Sequence, residues 1–377
     1  MKIVIAPDSF KESLDAAAAA RAIERGVKLA CPGAHTVLVP MADGGEGTVD
    51  AVLAAAGGQA RQACVRDALG RPIQASWGWL DHATAVIEMA SAAGLEGIAP
   101  AERDALAADT HGVGELILAA LDSGARKLIL GLGGSATTDG GTGMLRALGA
   151  RFLDASGQAL APGGGALREL ARIDLDGLDP RLAGLEVEVA CDVDNPLCGP
   201  QGAAHVFGPQ KGATPAQVEQ LDAALSRLAD VAHHALGQDH RHAAGAGAAG
   251  GLGFAAHAFL RGRFRPGVAL VAELGGLVDG RVAQGRRIMV GRGEGPGASP
   301  AGRHAGLHRR GPHGRPDLAR QDPGRRGPAG ARSRRARRGA GRLAGRGLRG
   351  AARRRHHRGV QPRAGPAQPG PGARACR

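Results

Sequence analysis

The stretch KLILGLGGSATTDGGTG, residues 127–143, determines the class of fold that we expect for this chain. Residues 127–134 form an apolar run of strand length, the most convincing buried strand in the sequence. A loop of glycine, serine, threonine and aspartate follows, and the sequence becomes helical near Thr142. A buried strand, a glycine-rich loop and a helix in this order are typical of α/β proteins with parallel sheets.

Other segments repeat this order of elements. KIVIAPD (2–8) predicts a strand, and an Ala-rich helix follows that begins after an N-cap at Ser13 and ends near Gly33. We predict further strands at 37–40, 62–66, 72–79 and 83–90, another strand that ends in a polar loop within 186–197, and further helices at 48–56, 112–123 and 214–237.

The predicted fold class is therefore α/β with two domains. A parallel-sheet domain of the Rossmann or flavodoxin-like kind begins with residues 1–63, and a second, mixed α/β domain spans 64–285. We expect a cleft between the two domains. Residues 286–377 lack any periodicity and predict a disordered tail rich in Arg, Gly and Pro.

The charge of the chain is divided between the body and the tail. The formal net charge is +13, but the residues after Gly285 include 25 arginines and only three acidic residues. The first 285 residues carry 23 basic and 32 acidic residues, a net charge of −9. An acidic body argues against specific nucleic-acid binding, and no segment has the ~20 apolar residues of a membrane span. We expect a cytoplasmic protein with reduced cysteines.

Four loops that follow predicted strands share one chemical character. APDSFK (6–11), MADGGEGT (41–48), GLGGSATTDGG (131–141) and ACDVDNPL (190–197) all carry aspartate beside glycine or hydroxyl residues. Ligands of open α/β sheets bind outside the carboxyl ends of the strands, so these loops could converge on one crevice. Several carboxylates in one crevice require a cation among them. The acidic candidates are Asp8, Asp43, Glu46, Asp139, Asp192 and Asp194.

The loop at 131–141 has the chemistry of a phosphate-binding loop. Gly133 and Gly134 allow close approach of a ligand to the backbone, and the following helix would direct free N–H groups at an anion. Hydroxyl donors come from Ser135, Thr137 and Thr138. The spacing is neither that of a Walker A loop nor that of a dinucleotide fingerprint. The alternative is a glycine-rich turn that serves only strand-to-helix packing.

Two of the five lysines lie in loops beside these segments. Lys11 in DSFK and Lys211 in GPQKGA could each contact a phosphate or a carboxylate as a point charge. The alternative for each lysine is an ordinary solvated side chain.

With these loops in view, the chain resembles the bacterial glycerate kinase family, the glycerate 2-kinase type. The resemblance covers roughly residues 1–280, with the family's signature segments in their usual order. These segments are KIVIAPDSFKESL (2–14), VPMADGGEGTVDA (39–51), LGLGGSATTDGGTGML (130–145), ACDVDNPLCGPQGAAHVFGPQKGA (190–213) and GAGAAGGLGF (245–254).

The resemblance implies transfer of the ATP γ-phosphoryl group to D-glycerate with Mg²⁺, giving 2-phosphoglycerate. In these terms the 131–141 loop would bind the nucleotide phosphates through Gly133, Gly134, Ser135, Thr137, Thr138 and Asp139. Asp192 and Asp194 would hold Mg²⁺ or orient the glycerate hydroxyl, as could Asp43 and Glu46. Lys11 would offset charge on the transferred group, and the predicted substrate contacts are Asp8, Ser9, Glu46, Asn195 and Lys211. Which carboxylate is the base stays open, and a homodimer is a further expectation.

The sequence departs from the family pattern near its C-terminus. The family carries a GEGRxDxQT segment followed by GKxP, and neither is present as written. Residues 309–324 are RRGPHGRPDLARQDPG. If each new codon takes the last two bases of one codon and the first base of the next, the genetic code permits the translation GEGRMDGQTLRGKTP. We therefore predict that the chain from about residue 286 is an out-of-frame translation of a GC-rich gene, which would impair the enzyme.

Two other functions compete with a kinase. The first is a nucleic-acid-binding protein that uses its basic tail, and the second is a non-catalytic protein that binds a nucleotide or a small acid. The net charge of the body argues against the first, and turnover with D-glycerate would separate a kinase from the second.

Overall fold

The structure, a computed structural model, describes residues 1–8, 10, 13–42 and 44–274 together with a strand at 288–289. The predicted strands and helices are present in it and alternate as expected. The strands are β1 (Lys2–Ile5), β2 (His35–Leu38), β3 (Gln59–Arg66), β4 (Pro72–Leu80), β5 (Thr84–Glu88), β6 (Lys127–Gly131), β7 (Arg151–Leu153), β8 (Arg172–Asp174), β9 (Glu186–Ala190), β10 (Arg263–Arg265) and β11 (Ile288–Met289).

Four helices of the described residues go beyond those expected from the sequence, and two of these four are very short. The helices are α1 (Ala16–Ala30), α2 (Thr48–Ala56), α3 (Ala90–Ala93), α4 (His111–Asp122), α5 (Thr142–Ala147), α6 (Ala203–Phe207), α7 (Pro215–Leu236), α8 (Ala248–Leu260) and α9 (Gly267–Leu274). Helix α7 begins with a capping box, in which Thr214 accepts from the N–H of Gln217 and the Gln217 side chain accepts from the N–H of Thr214.

The strands of the described residues form two main sheets, and the predicted α/β class is confirmed. One sheet has the order β11-β1-β2 with parallel pairing throughout. The other has the order β10-β9-β6-β5-β4-β3, parallel from β10 to β5 and antiparallel from β5 to β3. The strands predicted at 62–66, 72–79 and 83–90 therefore extend the sheet that contains the 127–131 strand. A small antiparallel pair, β7 and β8, lies apart from both sheets in the strand order.

Apolar residues of the two sheets share one core cluster. Val4 of β1 belongs to the same buried cluster as Val86 of β5, Ile129 of β6 and Ala190 of β9. A larger cluster contains Ile87, Leu128 and Val189, the neighbours of those residues along the same strands. Because side chains alternate along a strand, β5, β6 and β9 bury apolar residues on both of their faces, as expected for the central strands of a parallel sheet.

Two details of the sequence analysis change. The N-cap of α1 is Asp15, whose carboxylate accepts from the N–H of Ala18 at 2.6 Å, so the prediction of Ser13 is wrong. Aspartate and serine cap equally well, and the sequence offered both. Strand β11 lies inside the segment predicted as a disordered tail, and the rest of 275–377 lies outside the described residues. The domain limits 1–63 and 64–285 stay a prediction.

Candidate active site

A cavity of about 470 Å³ opens at the carboxyl ends of β5, β6 and β9. Loops from three of the predicted sites reach it, namely those at 41–48, 131–141 and 190–197. Its lining includes Gly45, Glu46, Ala90, Gly94, Leu95, Glu96, Gly97, Leu132, Gly133, Gly134, Ser135, Ala190, Cys191, Asp192, Val193, Phe207, Gln210, Ala248 and Ala249. The position agrees with the rule that ligands of parallel sheets bind beyond the strand ends.

Glycine residues allow these loops to approach each other closely. The N–H of Gly133 donates to the carbonyl of Gly44 at 3.0 Å, and a Cβ on Gly133 would lie 2.3 Å from the Cα of Gly45. Gly44 has φ +94°, and a Cβ there would lie 2.5 Å from the carbonyl oxygen of Ala190. No residue larger than glycine fits these places without backbone movement, so the glycines are needed to bring the three loops together.

The residues of the 131–141 loop divide into two groups. Gly133, Gly134 and Ser135 line the cavity, as a phosphate-binding loop requires. Thr137, Thr138 and Asp139 are completely buried and are not among the lining residues. The hydroxyls of both threonines lack a hydrogen-bond partner among the described residues. Binding of nucleotide phosphates by these three residues stays a prediction.

The Asp139 carboxylate connects the loop to its surroundings. It accepts hydrogen bonds from the N–H and the hydroxyl of Thr110, at 3.0 and 2.8 Å, and from the N–H groups of Gly141 and Gly143, at 3.1 and 2.9 Å. These donors lie at the beginnings of α4 and α5. The carboxylate therefore holds two helix ends in place, a role that explains its complete burial.

Lys211 is the most unusual charged residue near the cavity. Its side chain is 1 % exposed, and its Nζ donates to the Ser135 hydroxyl at 2.8 Å and to the carbonyl of Thr137 at 2.6 Å. Burial lowers the pKa of Lys211 to about 7, an effect that the negative charge of Asp139 partly opposes. The predicted contact of Lys211 with a substrate stays a prediction, because its ammonium lies behind Ser135.

The acidic loops bring two predicted carboxylates to the cavity. Glu46 and Asp192 both line it, whereas Asp194 and Asn195 are not among the lining residues. Asp194 is exposed, and the Asn195 amide donates to the carbonyl of Gln201 at 2.9 Å. Asp8 lies half-buried at the end of β1. Ser9, Lys11 and Asp43 lie outside the described residues, and their roles stay predictions.

Two glutamates that the sequence analysis did not select belong to this region. Glu96 lines the cavity beside Glu46. The partial burial of Glu46 and its hydrogen bond with Glu96 raise the pKa of Glu46. Glu88 ends β5 and accepts from the N–H of Val49 at 2.5 Å, at the beginning of α2. Burial raises the pKa of Glu88 to about 7, and its hydrogen bonds from Val49 and Gly47 reduce that shift. Glu96 follows a four-residue helix rather than a strand, so the strand-end pattern could not reveal it.

The described residues contain no group of three or more His, Cys, Asp or Glu side chains arranged to hold a metal. Mg²⁺ is usually bound by one or two carboxylates together with substrate phosphates, so this finding is compatible with the pair Glu46 and Asp192. None of the helices in the described part of the chain has the length and apolarity needed to cross a membrane.

The fold and the cavity define an α/β enzyme of the class whose ligand binds among glycine-rich loops at the ends of parallel strands. A sequence model of the glycerate kinase family matches residues 3–308, and the chain belongs to that family. The glycerate kinase of Bacillus subtilis (strain 168) is 54 % identical over 274 residues, 72 % of each chain. The glycerate 2-kinase of Escherichia coli (strain K12) is 53 % identical over 272 residues, 72 % of this chain and 71 % of the relative.

A solved structure supports the same assignment. The crystal structure described as a glycerate kinase 2 from Salmonella typhimurium LT2 superposes with a TM-score of 0.69 at 51 % identity, covering 74 % of both chains. The chain is therefore a phosphotransferase by family, and the expectation from its sequence segments is confirmed.

Proposed function

We propose that this protein transfers the γ-phosphoryl group of ATP to D-glycerate and forms 2-phosphoglycerate. The observation that carries the proposal is the cavity in which Gly133, Gly134 and Ser135 face Glu46 and Asp192 across the strand ends. Phosphoryl transfer needs positioning and charge neutralisation more than it needs covalent chemistry. A glycine-rich loop opposite carboxylates supplies both requirements.

Each side of the cavity has a distinct role in this proposal. The backbone around Gly133 and Gly134 and the hydroxyl of Ser135 bind phosphate oxygens of the nucleotide. The bond between the γ-phosphorus and the bridging oxygen breaks, the glycerate hydroxyl oxygen bonds to that phosphorus, and the hydroxyl proton passes to a carboxylate. Asp192 is our candidate for this carboxylate, because it lines the cavity at the end of β9.

Mg²⁺ fits the donor set of the cavity. Glu46 would hold it together with phosphate oxygens, while Asp192 accepts the hydroxyl proton, and when bound it would neutralise charge on the transferred group. The pKa of Glu46 is raised by its burial and by Glu96, so a cation at this position would also relieve the repulsion between the two glutamates.

The out-of-frame interpretation bears on how active this chain is. The family match extends beyond residue 286, where the frame change was predicted to begin, and ends at residue 308, just before the segment 309–324 whose shifted reading gives the family motif. The two bacterial relatives match over 71–72 % of their own length. We propose that the missing segment supplies part of the active site, and that this chain turns over slowly.

Release of ADP in the presence of D-glycerate tests the proposal. We expect ADP and phosphoglycerate in equal amounts, with the position of the phosphate read by phosphorus NMR. Binding of ATP or D-glycerate without any ADP release from a frame-corrected chain would indicate a non-catalytic binding protein instead. Phosphate on the terminal hydroxyl would contradict the 2-phosphoglycerate assignment.

A further inference from the structure

Lys211 reaches the cavity only through Ser135. The lysine ends a short 3-10 turn, Pro209–Lys211, and its ammonium is enclosed between Ser135 and Thr137. An ammonium has three donors and no acceptor, and two of its donors have partners at 2.8 and 2.6 Å. Its charge therefore lies directly beneath the glycine-rich loop, one hydroxyl away from the cavity.

The hydrogen bond from Lys211 determines what Ser135 can offer to a ligand. A serine hydroxyl has one proton to donate and two lone pairs to accept with. While Lys211 is protonated, its ammonium can only donate, so the Ser135 oxygen must accept from it and the hydroxyl proton points elsewhere. No acceptor for this proton is found among the described residues, whereas Ser135 itself lines the cavity. A serine in this state offers a donor and attracts an acceptor oxygen.

The electrostatics favour an anion at the same place. Burying an ammonium without a paired charge is unfavourable, and the carboxylate of Asp139 is already occupied by its four hydrogen bonds. Arg103, which donates to the carbonyl of Gln210, adds another positive charge to this side of the loop. An anionic oxygen beside Ser135 would offset this positive charge.

We propose that Lys211 is a positioning residue that holds the Ser135 hydroxyl as a hydrogen-bond donor to an anionic oxygen of the ligand, a phosphate or a carboxylate. The inference rests on the proposed function, because that function supplies the two candidate anions, ATP phosphate and D-glycerate carboxylate. A merely structural Lys211 would brace the loop without any energetic link to ligand binding through Ser135.

Calorimetric titration of the full chain with ATP, D-glycerate and adenosine tests this role. The variants are Ser135→Ala, Lys211→Met and the double variant, with Lys127→Met as the matched control. Lys127 lies on β6 with its Nζ 3.2 Å from Glu188, and it is not among the residues that line the cavity. Loss of a charge-assisted hydrogen bond is expected to weaken binding roughly 10-fold to 100-fold.

The expected pattern is specific to action through Ser135. Each single variant weakens binding of the anionic ligand, and adenosine binding does not change. The double variant binds the anionic ligand as tightly as the single variant with the lower affinity. An effect on ATP identifies the phosphate, and an effect on D-glycerate alone identifies the carboxylate. Additive losses, or wild-type affinity for both anions in either single variant, would overturn the inference.

The pH dependence of affinity gives a readout that a bracing role would not change. Since the pKa of Lys211 lies near 7 in the free protein, an anion that favours its protonated form binds more weakly as the pH rises from 7 to 9. We expect this loss of affinity only when Lys211 is present. The same titration of Lys211→Met corrects for protonation of the ligand itself. Should Lys211→Met fail to fold, Ser135→Ala decides. A wild-type chain that binds neither anion would overturn this inference, whereas the proposed function is tested separately by ADP release from the frame-corrected chain.

Discussion

Replacement of Gly133 by alanine tests whether close contact between the loops builds the active site. The added Cβ would lie 2.3 Å from the Cα of Gly45, whereas ordinary contacts begin near 3.4 Å, so the two backbones must separate by about 1 Å. The same movement would stretch the hydrogen bond from Gly133 to the carbonyl of Gly44.

The magnitude follows from this displacement. Overpacking of this kind lowers the free energy of unfolding by about 1–3 kcal/mol. A displacement of about 1 Å in a positioning loop lowers kcat/KM by about 100-fold. Urea unfolding measures the first quantity, and coupled release of ADP with D-glycerate measures the second. Both are measured in the frame-corrected chain, in which we expect the higher turnover.

Gly97→Ala is the matched control. Gly97 also lines the cavity, but its backbone is not left-handed, and the nearest atom to an added Cβ is the carbonyl oxygen of Gly94 at 3.7 Å. We expect a change in unfolding free energy within about 0.5 kcal/mol and a change in kcat/KM within about twofold. If Gly133→Ala behaves like Gly97→Ala, the loops do not depend on this contact and our account of the site is wrong.

Three further predictions concern buried carboxylates and the gene. Burial raises the pKa of Glu88 to about 7, so the folded state binds a proton that the unfolded state loses above pH 4.5. The free energy of unfolding, measured with urea, should therefore fall by up to about 3 kcal/mol between pH 4.5 and 7 relative to Glu88→Gln. The same pH dependence of unfolding free energy in both proteins would contradict this. Asp139→Ala leaves buried donors on Thr110 and Gly143 unpaired and should lower the free energy of unfolding by roughly 3 kcal/mol. Asp139→Asn keeps an acceptor oxygen and should lower it less. Equal losses in the two variants would refute the role of the carboxylate in holding the two helix ends. Resequencing codons 275–315 should reveal a missing or extra base, and an uninterrupted frame encoding this protein would end the out-of-frame hypothesis.

The sequence predicted the central strands and the convergence of their loops because both depend on local patterns. An apolar run of strand length such as 128–131 is typical of a strand buried on both faces, and ligands of parallel sheets bind at the loops that follow such strands. Glu46, Gly133 and Asp192 were therefore selected from the sequence, and all three line the cavity.

Burial and partner choice could not be predicted from the sequence. Because lysine is rarely buried, the sequence predicts that Lys211 is solvated or binds a ligand. In the structure Lys211 is only 1 % exposed and lies beneath Ser135. The sequence suggests that Asp139 binds phosphate or metal, yet its carboxylate accepts two hydrogen bonds from Thr110, 29 residues earlier in the chain, besides those from Gly141 and Gly143. Both arrangements depend on contacts between residues distant in sequence, which local periodicity does not record.

D-glycerate-dependent release of ADP from the chain as given and from its frame-corrected version is the most direct test of the central claim. We predict that the corrected version forms ADP and phosphoglycerate in equal amounts, and that the given chain shows lower turnover and lower soluble yield. Absence of any D-glycerate-dependent ADP release from the corrected version would contradict the claim that this protein is a glycerate kinase.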